Sequence, residues 1–173
     1  MVDREMIPLD ELTAPVTTSP EDERAVCLFL RTFSRFEHAL KRCGHAEMAG
    51  GGNKKITVKW REWAGNEKIV ASFQPGSEFW LEVQLLLEKP PAREVLDECK
   101  QPKFEEETPV ARTDANLKWL LEMTYRIRNN LFHGAKWPLD PARDPPLLMA
   151  GMAVLRKCLV LDKDLKRAYE TLS

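Results

Sequence analysis

Ser19-Pro20-Glu21-Asp22-Glu23 constrains this chain more than any other stretch, because it opens a long helix with one apolar face. Serine caps the first turn, proline suits the first helical position, and acids sit at the positive end of the helix. The helix is predicted to run to Cys43 and stop at Gly44. Val26, Leu30, Phe33 and Leu40 form its apolar stripe, with Phe29 and Phe36 beside it. A stripe of that width must be covered by other elements. Glu37 falls on it, one turn from Phe33 and about one turn from Leu40. Either Glu37 is buried and needs a cationic partner, or it sits at the margin and reaches solvent.

Other segments read the same way. Residues 77–89 predict a second helix, stopped by Pro90-Pro91. Thr113, with Asp114 following and Asn116 three on, predicts the start of a third, whose stripe is Leu117, Leu120, Leu121, Thr124, Ile127 and Leu131. After a proline-containing turn over residues 137–143, Asp144-Pro145-Pro146 opens a last helix. Its packing residues are Leu147, Leu148, Met152, Leu155, Leu159 and Leu161, and Gly151 points to close helix contact. Strand-like alternation is nearly absent outside residues 55–60, and residues 91–107 read as short helical turns and acidic loop. The expectation is an all-α, up-and-down bundle of about four to five helices. One domain, 19–173, would follow an irregular segment, 1–18, that contains Pro8, Pro15 and a Thr-Thr-Ser run.

A length of 173 residues, 43% hydrophobic and 31% charged, suits one globular domain with a buried core. No apolar run is long enough to span a bilayer, and the N-terminus lacks a basic region followed by an apolar one, so a cytoplasmic protein with no membrane partner is expected. Net charge is −1, which argues against coating nucleic acid through bulk electrostatics. Any such contact must be local. Acids gather at Glu94, Asp97, Glu98 and residues 105–107, whereas Arg126, Arg128, Lys136, Arg143, Arg156 and Lys157 occupy the C-terminal third. Cys27, Cys43, Cys99 and Cys158 lack paired spacing and read as buried small hydrophobes. With His38, His45 and His133 they make no metal-ligand pattern, so neither metal nor other cofactor is expected.

The chemistry concentrates in Arg126-Ile127-Arg128-Asn129-Asn130-Leu131-Phe132-His133-Gly134. A fixed cation, two amides and a titratable imidazole within two helical turns can handle a phosphodiester. The structural alternative is a helix that ends at Gly134 and places cations in its last turn. Arg128 to His133 resembles the Arg, four to six residues, His signature of the HEPN (higher eukaryotes and prokaryotes nucleotide-binding) superfamily, in which a polar residue usually follows the arginine. Residues 116–134, the loop after them and the Asp144 helix resemble the C-terminal half of HEPN domains. Residues 33–40 resemble their first helix, while residues 44–110 match weakly.

That resemblance implies a metal-independent endoribonuclease of toxin or phage-defence type that acts on RNA and not DNA, commonly as a homodimer with both motifs facing one cleft. By position Arg128 and His133 are the signature residues and Asn129 the polar companion. His133 would act as base or acid, Arg128 with Arg126 as helper would stabilise the developing charge, and Asn129 would fix phosphate or imidazole. Asn130 is expected to support them, and a buried Glu37 to orient Arg128 or His133. On an unbroken helix, residues five apart point about 140° away from each other, whereas Arg126 and Asn129 each share a face with His133. Either the helix distorts near Asn130, or Arg126 shares the duty, or a second subunit completes the site.

Lys54, Lys55 and Lys136 are expected to add substrate-binding charge. Lys54, Lys55, Lys59 and Arg61 interleave with Trp60 and Trp63, a composition that can hold single-stranded RNA, although the three-residue tryptophan spacing fits core packing and we read it so. The Gly-Gly-Gly-Asn stretch before them lacks a phosphate-binding fingerprint and reads as a flexible linker. The competing readings are a non-catalytic HEPN module that binds RNA or nucleotide or docks a nucleotidyltransferase-type antitoxin, and a purely structural helical dimer.

Overall fold

The computed structural model describes residues 19–48, 56–132, 140 and 142–171. Lys54, Lys55, His133 and Lys136 lie outside them, as do the irregular N-terminal segment, the glycine-rich linker and most of the turn expected before Asp144. Among the described residues the chain is mostly helical, with eight helices and two two-stranded antiparallel sheets.

Helix α1, Pro20–Arg42, begins at a full capping box, in which Asp22 N–H donates to Ser19 Oγ at 3.1 Å and the Asp22 carboxylate accepts from Ser19 N–H. Val26, Phe33 and Leu40 of the stripe are buried along it, while Leu30 is only half-buried and the flanking Phe29 and Phe36 are fully buried, so the buried face is centred nearer those two rings. The chain turns at Gly44, whose φ of 86° is the left-handed conformation that favours glycine. Strand β1, Ala46–Met48, then pairs with β2, Ile56–Val58, in register Ala46 with Val58.

Helices α2, Trp60–Ala64, and α3, Glu67–Ser72, bury Trp60, Trp63 and Ile69. The segment expected as one helix over 77–89 is broken into α4, Ser77–Glu82, and α5, Gln84–Glu88. At Val83 the chain tightens, since Leu86 N–H donates to the Val83 carbonyl three residues back at 2.9 Å. Phe79, Val83, Leu86 and Leu87, spaced as one helical face, are all buried.

Strands β3, Arg93–Leu96, and β4, Pro102–Glu105, form a hairpin where short helical turns and loop are expected from sequence. Its turn explains the difference. The Asp97 carboxylate accepts from both Cys99 N–H and Gln101 N–H at 2.8 Å, and Lys100 takes a φ of 59°. These bonds fix a register that the side-chain pattern does not advertise.

Helix α6, Leu117–Phe132, starts later than Thr113, because Asn116 supplies the cap: its Oδ1 accepts from Trp119 N–H at 2.9 Å. Helix α7, Asp144–Leu161, packs against both α1 and α6. Gly151 lies at the crossing, where a Cβ would come within 2.9 Å of the Phe29 ring. A further helix, α8, Lys163–Glu170, folds back on α1, with Arg35 donating to the Tyr169 carbonyl at 2.9 Å. Asp162 caps it, and the same carboxylate accepts from Trp63 Nε1 at 2.9 Å. Side chains from α1 to α8 join one contiguous apolar core.

Only Cys158 is a fully buried cysteine; Cys43 is half-buried, and Cys27 and Cys99 are exposed. The sequence reading of all four as core is corrected at those two positions. Cys27 falls off the apolar stripe of α1, and Cys99 belongs to the β3–β4 turn. No described helix is long and apolar enough to cross a membrane.

Candidate functional site

The C-terminal half of α6 presents two working faces. Glu122, Arg126 and Asn129, four and three residues apart, form a ridge along one side of a cleft of about 340 Å³. Trp60 and Arg61 of α2 and Arg93 and Glu94 of β3 complete its walls. Tyr125 and Arg128, three apart, lie beside α1, where Glu37 sits half-buried.

A ladder of rings joins the two faces. The Arg61 guanidinium lies 4.8 Å over the Trp60 ring, Trp60 stacks on Tyr125 at 4.5 Å, and Tyr125 meets Phe33 edge-on at 4.7 Å. At the far end the Arg128 guanidinium stands 6.0 Å from the Phe33 ring centre and donates through Nη1 to Asn129 Oδ1 at 3.0 Å. Arg128 is thereby held near an aromatic face and tied to its polar neighbour.

The Tyr125 hydroxyl is buried without a well-aligned hydrogen-bond partner among the described residues. Burial is the main force that keeps its proton on, pushing its pKa far up; the neighbouring Glu37 carboxylate adds to this and the Arg128 cation opposes it. Glu37 thus belongs to the surroundings of Arg128 through a shared tyrosine.

Arg126 and Asn130 have structural partners. Pro90, Pro91 and Ala92 are buried at the entry to β3, and their three carbonyls accept in turn from Arg143 Nη2 at 3.2 Å, Arg126 Nη1 at 3.2 Å and Asn130 Nδ2 at 2.9 Å. Arg126 also pairs with Glu107 and, at 3.8 Å, with Glu122, and its side chain is only 14% exposed. This clamp locks the β3–β4 hairpin to the C-terminal half of α6. Pro90, Pro91 and Ala92 thus present three buried carbonyls that need donors, and Arg143, Arg126 and Asn130 supply one each.

Of the expected site residues, the described structure brings together Arg128, Asn129, Arg126 and Asn130 on the last turns of α6 and places Glu37 across from them on α1. His133 follows Asn129 by four residues in the sequence and lies outside the described residues. Arg93, Glu94 and Tyr125 are the residues that sequence reasoning missed, because the hairpin and the ring ladder are tertiary features. Comparison of the chain with known protein families, with characterised proteins and with solved structures finds no match.

Proposed function

We propose that this protein is a HEPN-type helical bundle and acts as a metal-independent endoribonuclease of the toxin or phage-defence kind. One observation carries the reading: Arg128, its guanidinium held on Phe33 and on Asn129, stands at the end of α6 beside an arginine-lined cleft. A polar residue directly after the arginine is what usually occupies that place in the signature, and here Asn129 also accepts a hydrogen bond from Arg128.

In this mechanism the 2′-hydroxyl of RNA attacks the adjacent phosphorus as its proton passes to one His133 imidazole. The bond from phosphorus to the 5′-oxygen breaks, and that oxygen takes a proton from a second His133 across a homodimer. Arg128 balances the charge that builds on the phosphorane-like transition state, and Asn129 orients the phosphate. The products are a 2′,3′-cyclic phosphate and a 5′-hydroxyl. Such an enzyme needs restraint, and a cognate antitoxin protein at the C-terminal end of α6 would supply it.

A non-catalytic module that binds RNA or nucleotide is favoured by a different observation. Arg61, Arg93 and Arg126, from three separate elements, line one cleft apart from Arg128. The deciding experiment is cleavage of total RNA and tRNA in EDTA by wild type, His133→Ala and Arg128→Ala, with end-group analysis and thermal melts. Cutting that both substitutions abolish in folded protein supports the enzyme. No cutting by any form, with RNA retained on the protein, supports the binding module.

A further inference from the structure

We propose that the cleft between α2, β3 and α6 seats one nucleotide of a single-stranded RNA, with Arg61 and Arg93 taking its phosphates. The inference rests on the RNA reading above and adds to it the substrate's strandedness and two residues outside the signature.

Size comes first. A cleft of about 340 Å³ falls at the lower end of small-molecule pockets, which run from about 300 to 1,000 Å³. It has room for one nucleotide and none for a paired duplex. RNA whose bases are unpaired can splay one of them into such a space.

The arginines then divide by availability. Arg126 is mostly buried and committed to the clamp. Arg61 and Arg93 are 62% and 61% exposed, and their carboxylate partners stand at 3.7 and 3.4 Å. Exposed pairs of that length contribute little, and a phosphate oxygen pair matches the guanidinium fork at least as well as a carboxylate does.

Both arginines are also positioned before any ligand arrives. Arg61 lies over the Trp60 ring, which is itself stacked on Tyr125, so the ring ladder supports it from beneath. Its outer face offers a base a planar cation to stack on. Arg93 directly follows the three clamped carbonyls, so the strand that carries it is fixed to α6 and α7. Asn129 lines the cleft and bonds Arg128, so a nucleotide seated here has its neighbouring phosphodiester beside the signature. Glu94 and Glu122 in the same cleft offset two of its three arginines, so the seat keeps a small local positive excess and no broad basic surface surrounds it.

The test uses the full chain. A fluorescein-labelled single-stranded oligoribonucleotide is titrated by anisotropy at several salt concentrations with wild type, Arg61→Ala, Arg93→Ala and the remote control Lys166→Ala. The same strand annealed to its complement is titrated in parallel, and cleavage kinetics are recorded for all four proteins. Each cleft substitution is expected to weaken single-strand binding about tenfold and to lower the salt slope by about 0.7 per lost phosphate contact. It should raise KM about tenfold with kcat within about twofold, while Lys166→Ala matches wild type and the duplex binds at least about tenfold more weakly. Arg61→Lys should recover part of the loss. The proposal is overturned if the two alanine variants bind and cleave like wild type, or if duplex and single strand bind equally. Cleavage that depends on Arg128 but is indifferent to Arg61 and Arg93 would sink this inference and leave the ribonuclease reading standing. A wild-type protein that neither binds nor cuts RNA would sink both.

Discussion

Asn130 donates through Nδ2 to the Ala92 carbonyl at 2.9 Å, although 38 residues separate the two in the chain. Both ends of that bond are buried. Removing the donor strands a buried carbonyl, so Asn130→Ala is expected to cost about 1–3 kcal/mol. Urea denaturation would measure the loss. Hydrogen exchange should show it concentrated in the β3–β4 hairpin, where amides ought to open faster than those of α1. Exchange raised equally throughout would mean that the hairpin is not held by this clamp.

Gly151 sits where α7 crosses α1 and α6. A Cβ there would meet Phe29 Cε2 at 2.9 Å, Ile127 Cδ1 at 3.3 Å and Thr124 Cγ2 at 3.5 Å. Alanine is the better helix former by about 1 kcal/mol, but Phe29 is fully buried and cannot swing aside. Overpacking costs typically about 1–3 kcal/mol, so the sum favours glycine. Gly151→Ala should lower Tm, and an unchanged or raised Tm would show that the crossing is looser than drawn.

Burial raises the pKa of the Cys158 thiol strongly, and burial with the Asp162 and Asp164 carboxylates raises that of Cys43. In the unfolded chain both ionise near pH 8.5. A group with a raised folded pKa stabilises fully below its unfolded pKa, and the advantage is lost as pH climbs towards the folded value. Stability should therefore fall above about pH 8.5, by up to about 1.4 kcal/mol per pH unit from Cys158. Urea melts of wild type and Cys158→Ala at rising pH would isolate that slope, which the variant should lack. Alkylation of native protein should modify exposed Cys27 and Cys99 first, Cys43 more slowly, and Cys158 only on unfolding.

Much of this architecture is legible in the chain because its signals are local. The Ser19 cap, the 3.6-residue stripe of α1, the Pro-Pro start of α7 and Gly151 all act within a turn or at a single crossing. The β3–β4 hairpin is not legible, since Asp97 fixes its register through backbone donors and α6 and α7 hold it through carbonyls. Tyr125 hides for a related reason. Its spacing fits any helix face, and only the fold brings Trp60, Phe33 and Glu37 around it. The Arg128–Asn129 pair could be read because the two are adjacent, whereas the cleft that they border needs Arg61 and Arg93 from elements far apart in sequence.

Arg126 and Arg128 stand two residues apart on α6 and are predicted to fail in opposite ways when removed. Arg126 is 14% exposed, donates to the Pro91 carbonyl and pairs with Glu107 and Glu122. Arg126→Ala strands a buried carbonyl and removes two ion pairs to partly exposed carboxylates, so it should destabilise the fold by about 1–3 kcal/mol and loosen the hairpin. Arg128 is half-buried over Phe33 and bonds its exposed neighbour Asn129. Arg128→Ala should cost under about 1 kcal/mol in stability and, on the ribonuclease reading proposed above, lower RNA cleavage by about a hundredfold or more, since that reading places its charge in the transition state. Lysine at 128 should restore charge but not the planar fork, and recover only part of the rate. Thermal melts beside single-turnover cleavage would separate the two arginines. If Arg126→Ala abolished cleavage while melting like wild type, the catalytic cation would be reassigned to Arg126 and the cleft face that it shares with Asn129.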